Sequence, residues 1–458
     1  MFVNYQVARA PMALDFADLF CELFDSLPEP EFRSGAERWL TDPEVVAFAA
    51  DVQHRALDEA LDGETLRDRE PRLAFAALRG LDAALAHANP VTGGVAPPAL
   101  AEYALRYAES GRLDSGAVPG ALLPRFARPG RGGQLPAELA DAFAATVRVA
   151  AAEWEACEHR TLPAHARLVR THRETGLRIA TAPMIREPDE LHWEVHERGE
   201  LRFYRIHPAD RDPTARRIER VIASWDEHDV TIGIAPELCL SRHLLERWRT
   251  ALRDREAAAS NRLRLVVAGT GNVEGTTPPS NTAVLLDAQT GEPLVQQRKI
   301  HPFNFTPDDL ALWGLADRFD APIDEDLTRG ERLCVLEAGG VRIAILVCED
   351  LARLHAFSQT MHAHGVSLIL VPVFARPTKD RRWERSRADV YGETTGSSVV
   401  VANSLVMASI LRADRPAGTA IAVAAGGAAV GHAAEPDDVV VFALDGETPR
   451  VVYERERA

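Results

Sequence analysis

A layered α/β domain following a mainly α-helical region is the fold this sequence predicts, on two observations. Up to about residue 170 the chain is rich in Ala, Leu, Arg and Glu, and its apolar residues recur at three- and four-residue spacing, the period of amphipathic helices. From about Gly176 short β-branched runs alternate with helical patterns, the signature of sheets covered by helices. The expected organisation is therefore a helical region over 1–170 and an α/β domain over 171–458.

In chain order, residues 36–62 and 71–88 carry the clearest helical periodicity. Pro and Gly break the pattern at 89–98 and again over 118–136, which reads as a loop, and a final helix is expected over 136–159. Strand-like runs then follow at 176–185, 200–206, 230–237, 263–271, 282–300, 341–350, 366–373, 397–404 and 438–444. Helices are expected between them at 214–227, 242–260, 354–364 and 383–392. Asp287-Ala-Gln-Thr-Gly291 places a glycine-bearing turn between two strand-like runs, so 285–295 should form a hairpin that delivers Arg298 and Lys299 at its end.

Bulk composition narrows the function classes. A net charge of -16 argues against a broad nucleic-acid surface, which needs clustered Lys and Arg. The first twenty residues lack a basic segment followed by an apolar one, and no run approaches the roughly 20 apolar residues of a membrane span. A cytoplasmic protein without membrane or nucleic-acid partners is the expectation. The five cysteines are widely spaced with no C-x-x-C pair, which suggests neither a disulfide framework nor a zinc site. His362-Ala-His364 does not place two ligands on one helix face, and Gly269-Thr-Gly271 and Gly426-Gly427 lack the rest of a phosphate-loop fingerprint, so neither a metal nor a cofactor is expected.

Three segments carry candidate chemistry, and each has an ordinary structural alternative. Cys348 ends an apolar strand ahead of a probable turn into a helix, an elbow that exposes a nucleophile, although an isolated cysteine is more often a core thiol. Glu237 closes another apolar strand after Pro236, where a carboxylate needs a partner unless it is solvated. Lys299 sits at the end of the hairpin, a position that otherwise suits a surface charge.

Taken together and in this order, Pro236-Glu237-Leu238, Arg298-Lys299-Ile300-His301 and Val347-Cys348-Glu349-Asp350 resemble the three signature motifs of the nitrilase superfamily of carbon–nitrogen hydrolases. The resemblance spans about 176–452 and includes Ala268-Gly269, Asn281, Arg329-Gly330, Arg387-Ala388 and Asn403. It implies a four-layer αββα sandwich and a catalytic triad of Glu237, Lys299 and Cys348, with a second carboxylate for which Glu325 is named, Asp324, Asp308 and Asp309 being competitors. Glu349 and Asp350 are candidates for binding substrate or the oxyanion; Glu349 also makes the elbow similar to the C-E-D of glutaminase domains. The basic run 376–387 is either an anion-binding segment or a solvated helix face.

The function so implied is thiol-dependent hydrolysis of a small-molecule amide, carbamoyl compound or nitrile through a Cys acyl-enzyme, without a cofactor, by a homodimer or higher homo-oligomer. Two alternatives stand beside it: a nitrilase-like binding or signalling module that docks a protein through the N-terminal helices, and a glutaminase that donates ammonia.

Overall fold

The computed structural model describes residues 16–58, 61–67, 69–88, 100, 119–126, 135–136, 138–163, 166, 168, 176–209, 212–255, 262–275, 277–320, 322–377, 383–413, 417–425, 429–434, 439–444 and 449–453. They divide into two compact units that meet in the chain at residues 155 and 156.

The first unit contains α1 (Phe16–Ser26), α2 (Glu29–Thr41), α3 (Pro43–Leu57) and α4 (Pro71–Leu85). Its core gathers Phe20, Phe32, Phe75 and Phe143 with the apolar stripe of α4, the amphipathic pattern read from the sequence. One expectation fails here. The loop and helix expected over 118–136 and 136–159 contain an antiparallel hairpin, β1 (Gly120–Pro124) with β2 (Thr146–Ala150). Val147 and Val149 alternate onto Ala121 and Leu123, and this β-branched period of two outweighs the helix-forming alanines around it. Buried Asp82 on α4 fixes the entry to β2 by accepting the N–H groups of Ala144, Ala145 and Thr146.

The second unit begins ahead of the expected 170/171 boundary, because β3 (Cys157–Thr161) pairs in parallel with β13 (Leu333–Glu337). It holds two seven-stranded sheets. One has the order β10 (Pro293–Arg298), β9 (Thr282–Asp287), β8 (Leu265–Gly271), β7 (Ile232–Ile234), β4 (Leu177–Thr181), β19 (Val440–Leu444), β20 (Arg450–Tyr453). The other runs β18 (Ala429–Ala434), β17 (Ala417–Val423), β16 (Ser398–Asn403), β15 (Leu368–Val373), β14 (Arg342–Ile345), β13, β3. Their strands contribute to one shared hydrophobic core.

Helices close both outer faces. On the first sheet α5 (Asp212–Glu227) and α6 (Arg242–Arg253) bury Trp225 and Trp248, whose rings stack at 5.8 Å. A side chain at Gly233 of β7 would run into Trp225, so only glycine lets α5 lie this close to the strand. Against the second sheet pack α9 (Leu354–Ala363) and α10 (Trp383–Thr395), α10 touching β16 and β17. The architecture is an αββα sandwich. Beside it stands a small four-stranded sheet, β11 (Asn304–Phe305), β12 (Ile323–Glu325), β6 (Leu201–Pro208), β5 (Leu191–Arg198), built on the β5–β6 hairpin.

Among the described residues no helix is long and apolar enough to cross a membrane. None of the five cysteines forms a disulfide among the described residues, and all are buried.

Candidate active site

Strand ends from both large sheets converge on one cavity. Glu237 follows β7, Lys299 follows β10 and Cys348 follows β14. The β9–β10 turn that places Lys299 forms as expected: the Asp287 carboxylate accepts the N–H groups of Gln289 and Thr290, and Gly291 takes φ 70°.

The Lys299 ammonium is enclosed. Its Nζ lies 3.0 Å from Glu237 Oε1 and 2.7 Å from Glu325 Oε2, with the Lys299 and Glu237 side chains 2% exposed and that of Glu325 9%. Asn281 completes the arrangement by donating from Nδ2 to both carboxylates, at 2.9 Å to Glu237 and 3.2 Å to Glu325. Its own orientation is set by the Thr270 hydroxyl, which donates to Asn281 Oδ1 and accepts the Leu238 N–H. The remaining Glu237 oxygen accepts the Phe374 N–H at 2.8 Å, and Glu325 Oε2 also accepts the Phe303 N–H at 2.9 Å. Multiple hydrogen bonds to each group are what make a buried charge cluster tolerable, and two of the three Lys299 N–H donors are used here.

Cys348 occupies the elbow between β14 and the short helix α8 (Glu349–Ala352), with φ 48° and ψ -101°. A side chain held at positive φ stores strain of about 1–3 kcal/mol, which surrounding structure must hold in place. Here the Cys348 N–H donates to Pro372 O at 3.0 Å. Leu238, directly after Glu237, is also at positive φ, 58°. That turn needs Gly269 behind it: Gly269 has φ 96°, and a Cβ there would lie 2.1 Å from Cys239 Sγ and 2.8 Å from Pro236 O. Gly269→Ala is therefore expected to lower stability by about 1–3 kcal/mol and to reduce turnover by shifting Glu237, as checked by denaturant unfolding and kinetics on the same preparation.

Electrostatics follow from burial. Removal from water pushes the Cys348 thiol well above its ordinary range, an effect that nearby Glu237 reinforces and Lys299 opposes. Burial likewise raises Glu237, with Lys299 acting against it. For Lys299 burial works against the charge, yet Glu237 and Glu325 prevail and hold it well above the usual lysine value. The resting site thus pairs a neutral thiol with a carboxylate of raised proton affinity beside a fixed cation.

The other candidates separate by position. Glu325, and not Asp324, Asp308 or Asp309, reaches Lys299; Asp324 sits in the β11–β12 ladder and Asp309 caps the helix α7 (Pro307–Trp313) through Thr306. Glu349 lines the cavity, where burial raises its carboxyl against the pull of Arg353. Asp350 does not line it: its carboxylate accepts the N–H groups of Ile300 and His301 and meets His301 Nδ1 at 3.0 Å. Arg387 is on the cavity wall, whereas 378–382 of the basic run and Gly426-Gly427 lie outside the described residues. Among the described residues no group of three His, Cys, Asp or Glu side chains is placed to hold a metal ion.

One sheet supplies Glu237 and Lys299 and its partner supplies Cys348, within a four-layer sandwich whose strand ends surround a single polar cluster. This is the αββα architecture expected from the sequence. No family model and no curated protein matches the sequence. Among solved structures, an amidase from Nesterenkonia sp. aligns at 19% identity over 60% of this chain and 93% of that one, with a TM-score of 0.40. A cysteine-to-alanine variant of the Nesterenkonia AN1 amidase, described as from the nitrilase superfamily, aligns at 20% identity over 60% of this chain and 92% of that one, with a TM-score of 0.39.

Within this sandwich the cavity measures about 550 Å³. Several of its walls escaped sequence reasoning: Tyr204, Arg205 and His207 of β6, and Phe303, Phe305 and Trp313 of the 303–313 segment. The alternation in Arg202-Phe-Tyr-Arg-Ile-His207 was a strand signal, but nothing local shows that β6 pairs with β12 beside Glu325.

Proposed function

We propose that this chain is a carbon–nitrogen hydrolase of the nitrilase superfamily, acting on a small-molecule amide, carbamoyl compound or nitrile through a thioester on Cys348. The observation that carries this reading is the buried, hydrogen-bonded Glu237–Lys299–Glu325 cluster, which shares one cavity with a strained Cys348 elbow.

Acyl transfer to a thiol needs a base for the thiol proton and positive charge where the oxyanion forms. Glu237, whose proton affinity is raised, accepts the Cys348 proton as sulfur attacks the carbon of the C–N bond. Lys299 and the backbone N–H following Cys348 face the negative charge that develops on oxygen. Protonated Glu237 then passes its proton to the departing amine or ammonia, and the same carboxylate activates the water that cleaves the thioester. A nitrile instead gives a thioimidate on Cys348, with the proton taken up by its nitrogen, and a first water converts this to the thioester with release of ammonia. Glu325 holds Lys299 charged and in place. Side chains and water suffice for these steps.

The test is intact-mass spectrometry after incubation with a panel of amides and nitriles. The native protein is expected to show a mass increase equal to the acyl group, mapped to Cys348 and discharged with time as free amine or ammonia accumulates. An adduct that persists in Cys348→Ala, or amide turnover undiminished in that variant, refutes the mechanism.

A further inference from the structure

The cavity over Cys348 is much larger than the reacting atoms require, and one side of it is aromatic. Its volume of about 550 Å³ falls in the range, roughly 300–1,000 Å³, of pockets that enclose drug-sized ligands. Tyr204, Phe303, Phe305, Trp313 and Phe374 line it. Four of these rings form one connected wall, with Tyr204–Phe305 at 5.0 Å, Phe303–Phe305 at 4.9 Å and Phe303–Trp313 at 5.6 Å between centroids.

This wall belongs to neither large sheet and is built in advance of any ligand. Asp326, its side chain 1% exposed, is clamped between Arg198 and Arg205 of the β5–β6 hairpin, each at 2.6 Å. Its N–H donates to Tyr204 O at 2.9 Å, and the register pairs Tyr204 with Glu325. The wall is thereby keyed to the carboxylate that holds Lys299. The charges nearest Cys348 are already committed: Lys299 to two carboxylates, Arg205 to Asp326 and Glu349 to Arg353. A substrate group reaching this side meets the rings, and Arg387 is a further cation on the cavity wall outside these pairs.

We infer that the site selects amides whose acyl group is bulky and aromatic, with Tyr204, Phe305 and Trp313 as specificity determinants. The inference rests on the acyl-enzyme reading above, because an acyl group tethered to Cys348 must occupy the cavity through both half-reactions while ammonia only passes through. Rings gain from edge and face contacts with an aromatic guest as well as from its removal from water.

Full-length Cys348→Ala protein, titrated calorimetrically with phenylacetamide, 3-phenylpropionamide, acetamide, propionamide and glutamine, separates binding from chemistry. The aryl amides are expected to bind at least about tenfold more tightly than the small amides and glutamine. Trp313→Ala in the same background is expected to remove most of that preference, and Trp313→Leu covers the case in which the alanine variant does not fold. Tighter binding of acetamide or glutamine than of the aryl amides, or a preference unchanged by the Trp313 variants, overturns the inference. Because no turnover is needed, this failure is distinct from absence of a Cys348 adduct in the native protein, which strikes the hydrolase reading itself.

Discussion

Lys299→Met is expected to lower the unfolding free energy by about 3–5 kcal/mol and to abolish turnover. The ammonium binds two carboxylates in a site where no side chain of the three is more than 9% exposed. Methionine fills much of the same volume but leaves Glu237 and Glu325 facing each other across Asn281, and a buried charge without its partner costs far more than a surface one. The pH dependence gives the loss a signature. A lysine held above its unfolded value contributes stability in full below about 10.5, and the contribution fades as pH rises through the higher folded value, so the native protein should weaken in alkali through this group. In the variant that loss should vanish. Glu237, raised further above its unfolded value, should instead make the variant firmer as pH falls and it takes up a proton. Unfolding midpoints from pH 5 to pH 11 on both proteins test this, and equal midpoints near neutrality would remove the buried cation from the account.

Glu237→Gln is expected to cost about three orders of magnitude or more in kcat with little change in KM. Glutamine preserves shape and can still accept from Phe374 N–H, but it cannot take the thiol proton. In the native protein burial raises Glu237, so activity should fall in acid around a value above the ordinary 4.5 as the base becomes protonated. The Cys348 thiol is raised well above 9, so reaction through free thiolate contributes little at neutral pH. Once the base is gone, thiolate is what remains. Residual activity in Glu237→Gln should therefore lack the acid limb and climb with pH into the alkaline range. A variant that keeps the native pH–rate profile would show that another group takes the proton.

Glu237 and Cys348 were readable because each closes an apolar run with a residue unlike those before it, a local signal, whereas Lys299, behind Gln296-Gln297-Arg298, stood out only through the three motifs taken in order. The hairpin ahead of Lys299 was readable from its turn residues. Contacts distant in sequence were not. Asp350 looked like a site residue from its place after Cys348, yet its carboxylate serves the backbone of 300–301, some fifty positions upstream, and no spacing within the elbow announces that. The 136–159 segment failed for the converse reason: its alanines favour helix, and only the partner strand at 120–124 makes Thr146–Ala150 extended. The aromatic wall was hidden likewise, since its rings come from β6 and 303–313 and meet only in three dimensions.

The Asp350 contact joins the segment after Cys348 in one sheet to the segment after Lys299 in the other, and Phe374 N–H makes a second such tie to Glu237. Spacing between nucleophile, base and cation is thus bolted locally instead of being inherited from how the two sheets happen to slide on each other. Drift in the outer helices or in the apolar layer between the sheets can then accumulate over evolutionary time while the reacting atoms keep their distances.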